Sequence, residues 1–188
     1  MSIYFTRHGQ TDWNINMLIQ GRIDVPLNEV GRKQAQDLAE KMKDIHLDLI
    51  ISSPLQRALD TAKAVNKYHN VPIQIDNRVI EEYYGKMEGK PRRGEPYLSQ
   101  RTKIATRYPG GESYFDVAYR IYDLLNELKA TKRDLDILIV AHGGISRVFN
   151  SYFKDMENDE FIHYGLDNCE LAKYEFVDRD LPLIVKNY

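Results

Sequence analysis

The 188-residue chain carries a formal net charge of −2, with 43% hydrophobic and 29% charged residues; these values suit one globular domain able to bury about 70% of its unfolded surface and exclude global disorder. The near-neutral charge provides no whole-molecule attraction to nucleic acid or membrane, and no apolar stretch approaches the roughly 18 residues of a membrane span. The single Cys169 forms no internal disulfide, and Met1-Ser2 lead into an apolar run without a charged leader, so a reducing cytoplasm is the expected compartment.

The first element is a short apolar strand at Ile3 to Phe5, followed at once by Arg7-His8-Gly9. Ala35, Leu38, Ala39 and Met42 recur at helical spacing after Leu27, with Asn28 as the expected cap. A second buried strand, Leu49 to Ile51, precedes the apolar stripe Leu55, Ala58, Leu59, Ala62 and Val65. Ser53 is the expected cap of that helix and Pro54 its first residue, which places Arg57 in the first turn. Lys86 to Arg107 then breaks the pattern, with seven cations against Glu88 and Glu95 and interruptions at Pro91, Gly94 and Pro96. It reads as a basic surface flap at about 86–109.

Ser113 with Asp116 resembles a capping box ahead of Val117, Ile121, Leu124, Leu125 and Leu128. Ile137 to Val140 is a third buried strand, ending in His142-Gly143-Gly144, and Ile145, Val148, Phe149 and Tyr152 form the next helical stripe. Leu171 to Val177 alternates and belongs nearer a sheet edge. Strands alternating with helices predict a three-layer α/β/α fold with a mostly parallel central sheet, in a single domain over residues 1–188.

His8 and His142 each follow the end of a buried strand and precede glycine, where α/β proteins place their ligands. Phosphoryl transfer to an enzyme nucleophile needs an attacking atom, positive charge around three oxygens and a proton for the leaving oxygen. His8 offers the imidazole, and Arg7 and Arg57 offer planar forks that hold two phosphate oxygens at once. His46, His69 and His163 lack such neighbours and read as surface decoration.

Competing chemistries find no match. The chain lacks a G-x-x-x-x-G-K-[ST] loop, a G-x-S-x-G elbow and an H-E-x-x-H spacing, and no arginine follows Cys169 closely. Asp134-Leu135-Asp136 precedes its strand, at the wrong end of a parallel sheet. Metal-free chemistry without a cofactor is expected.

Ordered motifs run along nearly the whole chain: Arg7-His8-Gly9-Gln10-Thr11 with Asn14, Gln20-Gly21, Pro26-Leu27-Asn28 with Gly31, and Ser52-Ser53-Pro54-Leu55-Gln56-Arg57-Ala58 with Thr61-Ala62. Glu81 with Gly85 and Glu88-Gly89, Pro109-Gly110-Gly111-Glu112-Ser113, and Ala141-His142-Gly143-Gly144 complete the series. In this it resembles the histidine phosphatase superfamily, also called the phosphoglycerate mutase-like family. The resemblance implies the phosphoglycerate mutase-like fold and a phosphohistidine formed on His8. It also implies a phosphate pocket of Arg7, Asn14, Arg57 and His142, and Glu81 as proton donor to the leaving group. Glu82 is the competing residue, read as a surface neighbour. Glu81 must carry a proton when substrate binds, which a nearby phosphate dianion favours, and His8 needs its second ring nitrogen fixed by a backbone carbonyl.

Three departures from the mutase pattern favour water as the acceptor. Glu82 stands where mutases have arginine, Gly144 where they have asparagine, and the interval from Gly89 to Pro109 is short. The expected activity is therefore metal-independent hydrolysis of small phosphorylated metabolites, with cofactor-dependent phosphoglycerate mutase as the alternative. A phosphohistidine carrier or binding module is a third reading, which the acid at Glu81 argues against. Gln20, Gly21, Tyr84, Arg92 and Arg93, with Arg101 beyond them, are candidate substrate contacts; packing is an equal role for Tyr84. The expected partner is a small anionic phosphorylated substrate, with no nucleic acid or membrane, and a homodimer is left open.

Overall fold

A computed structural model describes residues 2–176. Five strands, β1 (Ile3–Arg7), β2 (Leu49–Ser52), β3 (Ile73–Ile75), β4 (Ile137–Ala141) and β5 (Leu171–Tyr174), form one sheet in the order β3-β2-β4-β1-β5. Every pairing is parallel except β1 with β5. The central β4 is buried at all five positions, which is why its sequence is continuously apolar rather than alternating. The antiparallel β5 lies at the edge as its alternation predicts, but it ends at Tyr174; Val177 lies outside the described residues.

Two layers of helix cover the sheet. On one face α2 (Glu29–Met42) and α3 (Gln56–His69) bring Leu38, Met42, Ala58 and Val65 against Ile50, Leu138 and Val140. On the other, α5 (Tyr114–Thr131) and α6 (Gly143–Phe153) bring Ile121, Leu125 and Phe149 against Phe5, Ile51 and Ile139. The predicted three-layer fold is therefore present. The chain leaves β1 toward the face of α2 and leaves β4 toward the face of α6, so the crevice between these neighbours opens at their carboxyl ends.

Local signals hold at two helix starts. Asn28 accepts from the Gly31 N–H at 2.8 Å, and Ser113 with Asp116 forms both halves of a capping box. At α3 the sequence expectation fails, because Leu55 occupies the cap position and Ser53 and Pro54 precede the helix. Ser53 continues the strand instead, its N–H donating to the Val140 carbonyl at 3.0 Å. The helix start is capped from afar, the Gln56 N–H donating to both Asp24 carboxylate oxygens at 3.0 Å.

The edge strand β3 and the short helices α1 (Asp12–Ile15), α4 (Tyr97–Arg101) and α7 (Asn158–His163) escaped prediction, being too short to show a period. The basic flap is less superficial than its charge implies. It contributes Met87, Tyr97 and Tyr108 to a small buried cluster with Ile19 and Tyr84, so hydrophobic contacts seat it over the crevice. No helix among the described residues is long and apolar enough to cross a membrane.

Ile139 is fully buried between β1 and β2 on the α5/α6 face. Ile139→Ala is expected to lower unfolding free energy by about 2–5 kcal/mol with an unchanged denaturant slope. Urea titration followed by circular dichroism measures it, and a loss below about 1 kcal/mol would place the core elsewhere.

Candidate active site

The parallel register sets Arg7 opposite Ala141, so the next residue on each strand, His8 and His142, emerges side by side at the carboxyl ends. The His8 N–H extends the ladder to the Ala141 carbonyl at 3.0 Å, and the two imidazoles meet edge to face with centroids 5.1 Å apart. Beside them opens a cavity of about 270 Å³, lined by Arg7, His8, Asn14, Arg57 and Glu81 among others. Gly9 is required here for close approach, since a Cβ would collide with the Gly31 carbonyl.

His8 is fixed in one useful tautomer. Its Nδ1 lies 2.6 Å from the Gly9 carbonyl oxygen, an acceptor only, so Nδ1 carries the hydrogen and Nε2 keeps its lone pair. Arg57 Nε donates to that Nε2 at 3.2 Å. Burial first, then the Arg57 and Arg7 charges, hold the His8 pKa well below its ordinary 6.5, which preserves the neutral ring. His142, fully buried beneath, meets the Ser53 hydroxyl through Nε2 at 2.7 Å, while its Nδ1 has no partner.

The guanidinium groups are held by backbone carbonyls. Arg57, with no exposed surface, donates to Ile23 O at 2.9 Å and Gly21 O at 2.7 Å. Among the described residues, its one acidic neighbour within ion-pair range is the half-exposed Asp24 at 3.8 Å. Arg7 donates to Leu166 O at 3.1 Å, and its buried Nε has no partner. Carbonyl acceptors orient a guanidinium without cancelling its charge, so the crevice is preset for an anion.

Glu81 closes the other side. Its Oε2 accepts from the Gly144 N–H at 3.0 Å and its Oε1 from the Glu82 N–H at 2.9 Å, which fixes the carboxyl beside the start of α6. A Cβ on Gly144 would stand 2.5 Å from both Glu81 Oε1 and the Tyr84 hydroxyl, so a side chain there would require the ends of those two side chains to shift. Arg120 anchors the preceding segment, donating to the Ile80 carbonyl at 2.7 Å and the Glu81 carbonyl at 3.3 Å. Glu82 is not the surface neighbour expected from sequence. It is 1% exposed, and burial pushes its pKa up to about 8 despite the opposing Arg147 charge. Consecutive residues of an extended segment point to opposite sides, and here both sides are interior.

Asn14, Gln20, Gly21 and Tyr84 all line the cavity. Gln20 Oε1 accepts from Thr11 Oγ1 at 2.9 Å and Asn14 Nδ2 at 3.3 Å, while Gly21 adopts a positive φ of 49° that presents its carbonyl to Arg57. Tyr84 also packs edge to face on Tyr108 at 5.0 Å, so lining and packing coexist. Of the flap arginines, Arg92 and Arg101 reach the cavity, whereas Arg93 is exposed and outside its lining. His163, read from sequence as decoration, stands at the cavity wall. Arg147 on α6 was missed altogether; its spacing of four from Gly143 puts both on one helix face, which the sequence could have revealed. Among the described residues, no group of three or more His, Cys, Asp and Glu is placed to hold a metal ion.

Comparison with known proteins gives a consistent result. The family model for the histidine phosphatase superfamily (branch 1) matches residues 3–187. An uncharacterized phosphatase, PhoE, of Bacillus subtilis is 31% identical over 95% of this chain and 93% of its own length. The glucosyl-3-phosphoglycerate phosphatase of Mycolicibacterium vanbaalenii is 36% identical over 93% of this chain and 85% of its own. The solved native structure of a mycobacterial glucosyl-3-phosphoglycerate phosphatase superposes with a TM-score of 0.82 at 29% identity, covering 92% of this chain and 88% of that one. Phosphoglycerate mutases also occur among the relatives. With the matched stretch spanning both strand-end histidines and the segment between them, the chain belongs to the histidine phosphatase superfamily.

Proposed function

We propose that the protein hydrolyses phosphomonoesters of small metabolites through a phosphohistidine on His8. The observation that carries this reading is the His8 Nε2 lone pair, oriented by the Gly9 carbonyl and flanked by carbonyl-held arginines. An incoming phosphate draws Arg57 and Arg7 onto its equatorial oxygens and frees Nε2 to attack phosphorus. The ester P–O bond breaks as P–Nε2 forms, and Glu81 passes its proton to the leaving oxygen. Water, deprotonated by the Glu81 carboxylate, then cleaves the P–N bond and releases phosphate. His142 supports the transferring group through Nδ1, with the Ser53 hydroxyl donating to Nε2. The activity resembles that named for the mycobacterial phosphatases, and the cavity of about 270 Å³ suits a small substrate.

Water rather than a second substrate hydroxyl is favoured as acceptor by Gly144. Mutases carry asparagine there, and the space a side chain would need is filled by Glu81 and Tyr84.

Three outcomes are expected. On a panel of phosphorylated metabolites, wild type releases phosphate without isomerised product and His8→Ala releases none; isomerised product as the main outcome would assign the mutase. Glu81→Ala slows phosphorylation of His8 by about 10²- to 10⁴-fold, least for substrates with good leaving groups, as read by rapid quench with a series of aryl phosphates. An equal loss across that series contradicts the acid role. Because the His8 pKa lies well below 6.5, kcat/KM corrected for substrate ionisation stays level from about pH 7 to about pH 6, and an inflection centred near 6.5 would contradict a neutral buried His8.

A further inference from the structure

The Glu88-Gly89 motif takes no part in the chemistry described so far, yet its carboxylate stands where three main-chain donors converge. Oε1 accepts from the Arg22 N–H at 2.9 Å and the Tyr84 N–H at 3.3 Å, and Oε2 accepts from the Ile23 N–H at 3.1 Å. An ionised carboxylate suits such a junction, because it only accepts and has room for all three donors. Gly21 packs directly against it, since a Cβ there would collide with Glu88 Oε1.

The loop that Glu88 grips is the one that holds Arg57. Gly21 O and Ile23 O accept from Arg57 Nη2 and Nη1 at 2.7 and 2.9 Å, and Arg57 Nε in turn donates to His8 Nε2 at 3.2 Å. The Gly21 carbonyl and the Arg22 N–H belong to one planar trans peptide, so they point to opposite sides. Fixing the N–H on Glu88 therefore aims the carbonyl at Arg57. Glu88 itself is outside the cavity lining and acts from behind the loop. Other contacts keep the loop in place: the Arg22 side chain pairs with Glu112 at 3.0 Å, the Ile19 N–H donates to Lys90 O at 2.9 Å and the Gly89 N–H to Ile19 O at 2.8 Å. Removing the Glu88 carboxylate should thus loosen the aim of one peptide without unfolding the segment.

We propose that Glu88 is a positioning residue, holding the Arg57 guanidinium through the Gly21–Arg22 peptide at the angle from which it meets the phosphoryl group. This rests on the phosphatase reading and adds to it a residue that never touches substrate.

The test is a double-mutant cycle on the full-length chain, with circular dichroism and the thermal midpoint checking the fold. Glu88→Ala is expected to lower kcat/KM for 4-nitrophenyl phosphate by about 10- to 100-fold, and Glu88→Gln, which keeps one acceptor oxygen, by about 5- to 10-fold. In an Arg57→Ala background each is expected to cost less than about 2-fold, because the group it would displace is gone. An equal loss in both backgrounds, or a loss below about 2-fold with Arg57 present, overturns the proposal. If Glu88→Ala does not fold, Glu88→Gln decides. Nuclear magnetic resonance of the arginine Nε–H groups gives a readout free of turnover. The Arg57 signal, assigned by its absence in Arg57→Ala, is expected to shift or broaden in Glu88→Gln; a signal at its wild-type position overturns the proposal even where turnover falls. Hydrolysis undiminished in His8→Ala defeats the phosphatase reading, and the Arg57 signal then judges Glu88 by itself.

Discussion

The site depends on the parallel pairing of β1 with β4. Arg7 opposite Ala141 is one rung of a backbone ladder, yet it places two histidines more than 130 residues apart in sequence at one crevice. A slip of one residue would turn Ile3, Phe5, Ile137 and Ile139 from one sheet face to the other, so burial of those side chains enforces the register that the chemistry needs. The same strand ends carry Ser53, which the ladder places beneath His142. Core packing and catalytic geometry are thus one constraint viewed from two ends of the sheet.

Around that crevice the protein keeps charge available by holding its arginines with neutral acceptors. Arg57 rests on the carbonyls of Gly21 and Ile23, and Arg7 on that of Leu166. Arg78, by contrast, bonds Asp76, Asp123 and Glu127 and serves structure. The difference is physical: carboxylate partners stabilise a guanidinium by cancelling its field, whereas carbonyls orient it and leave the field for a ligand. A site of this kind needs no large rearrangement when phosphate arrives, which is the usual basis of electrostatic catalysis.

Much of the architecture was legible because it rests on local rules. Continuous apolar runs marked β1, β2 and β4, stripes at helical spacing marked α2, α3, α5 and α6, and Asn28 and Ser113 capped where expected. Failures came where a local preference met a distant partner. Ser53 is a good cap by type, but strand pairing with Val140 and contact with His142 claim it, and Asp24 takes its place. Edge strand β3 and helices α1, α4 and α7 are too short for periodicity to register. The flap's charge concealed Met87, Tyr97 and Tyr108, whose burial becomes visible only against Ile19 and Tyr84.

Residue order and type alone were enough to read the layered α/β fold, the strand-end positions of His8 and His142, and the nearness of Arg7 and Arg57 to His8. Each of these follows from the order and type of residues close along the chain. Only the tertiary structure separated Glu81 from Glu82, removed Arg93 from the cavity and brought Arg147 into it. Those outcomes depend on which side of a segment meets which neighbour. Side-chain direction at an isolated charged residue is set by packing from remote elements, and that information is absent from local pattern.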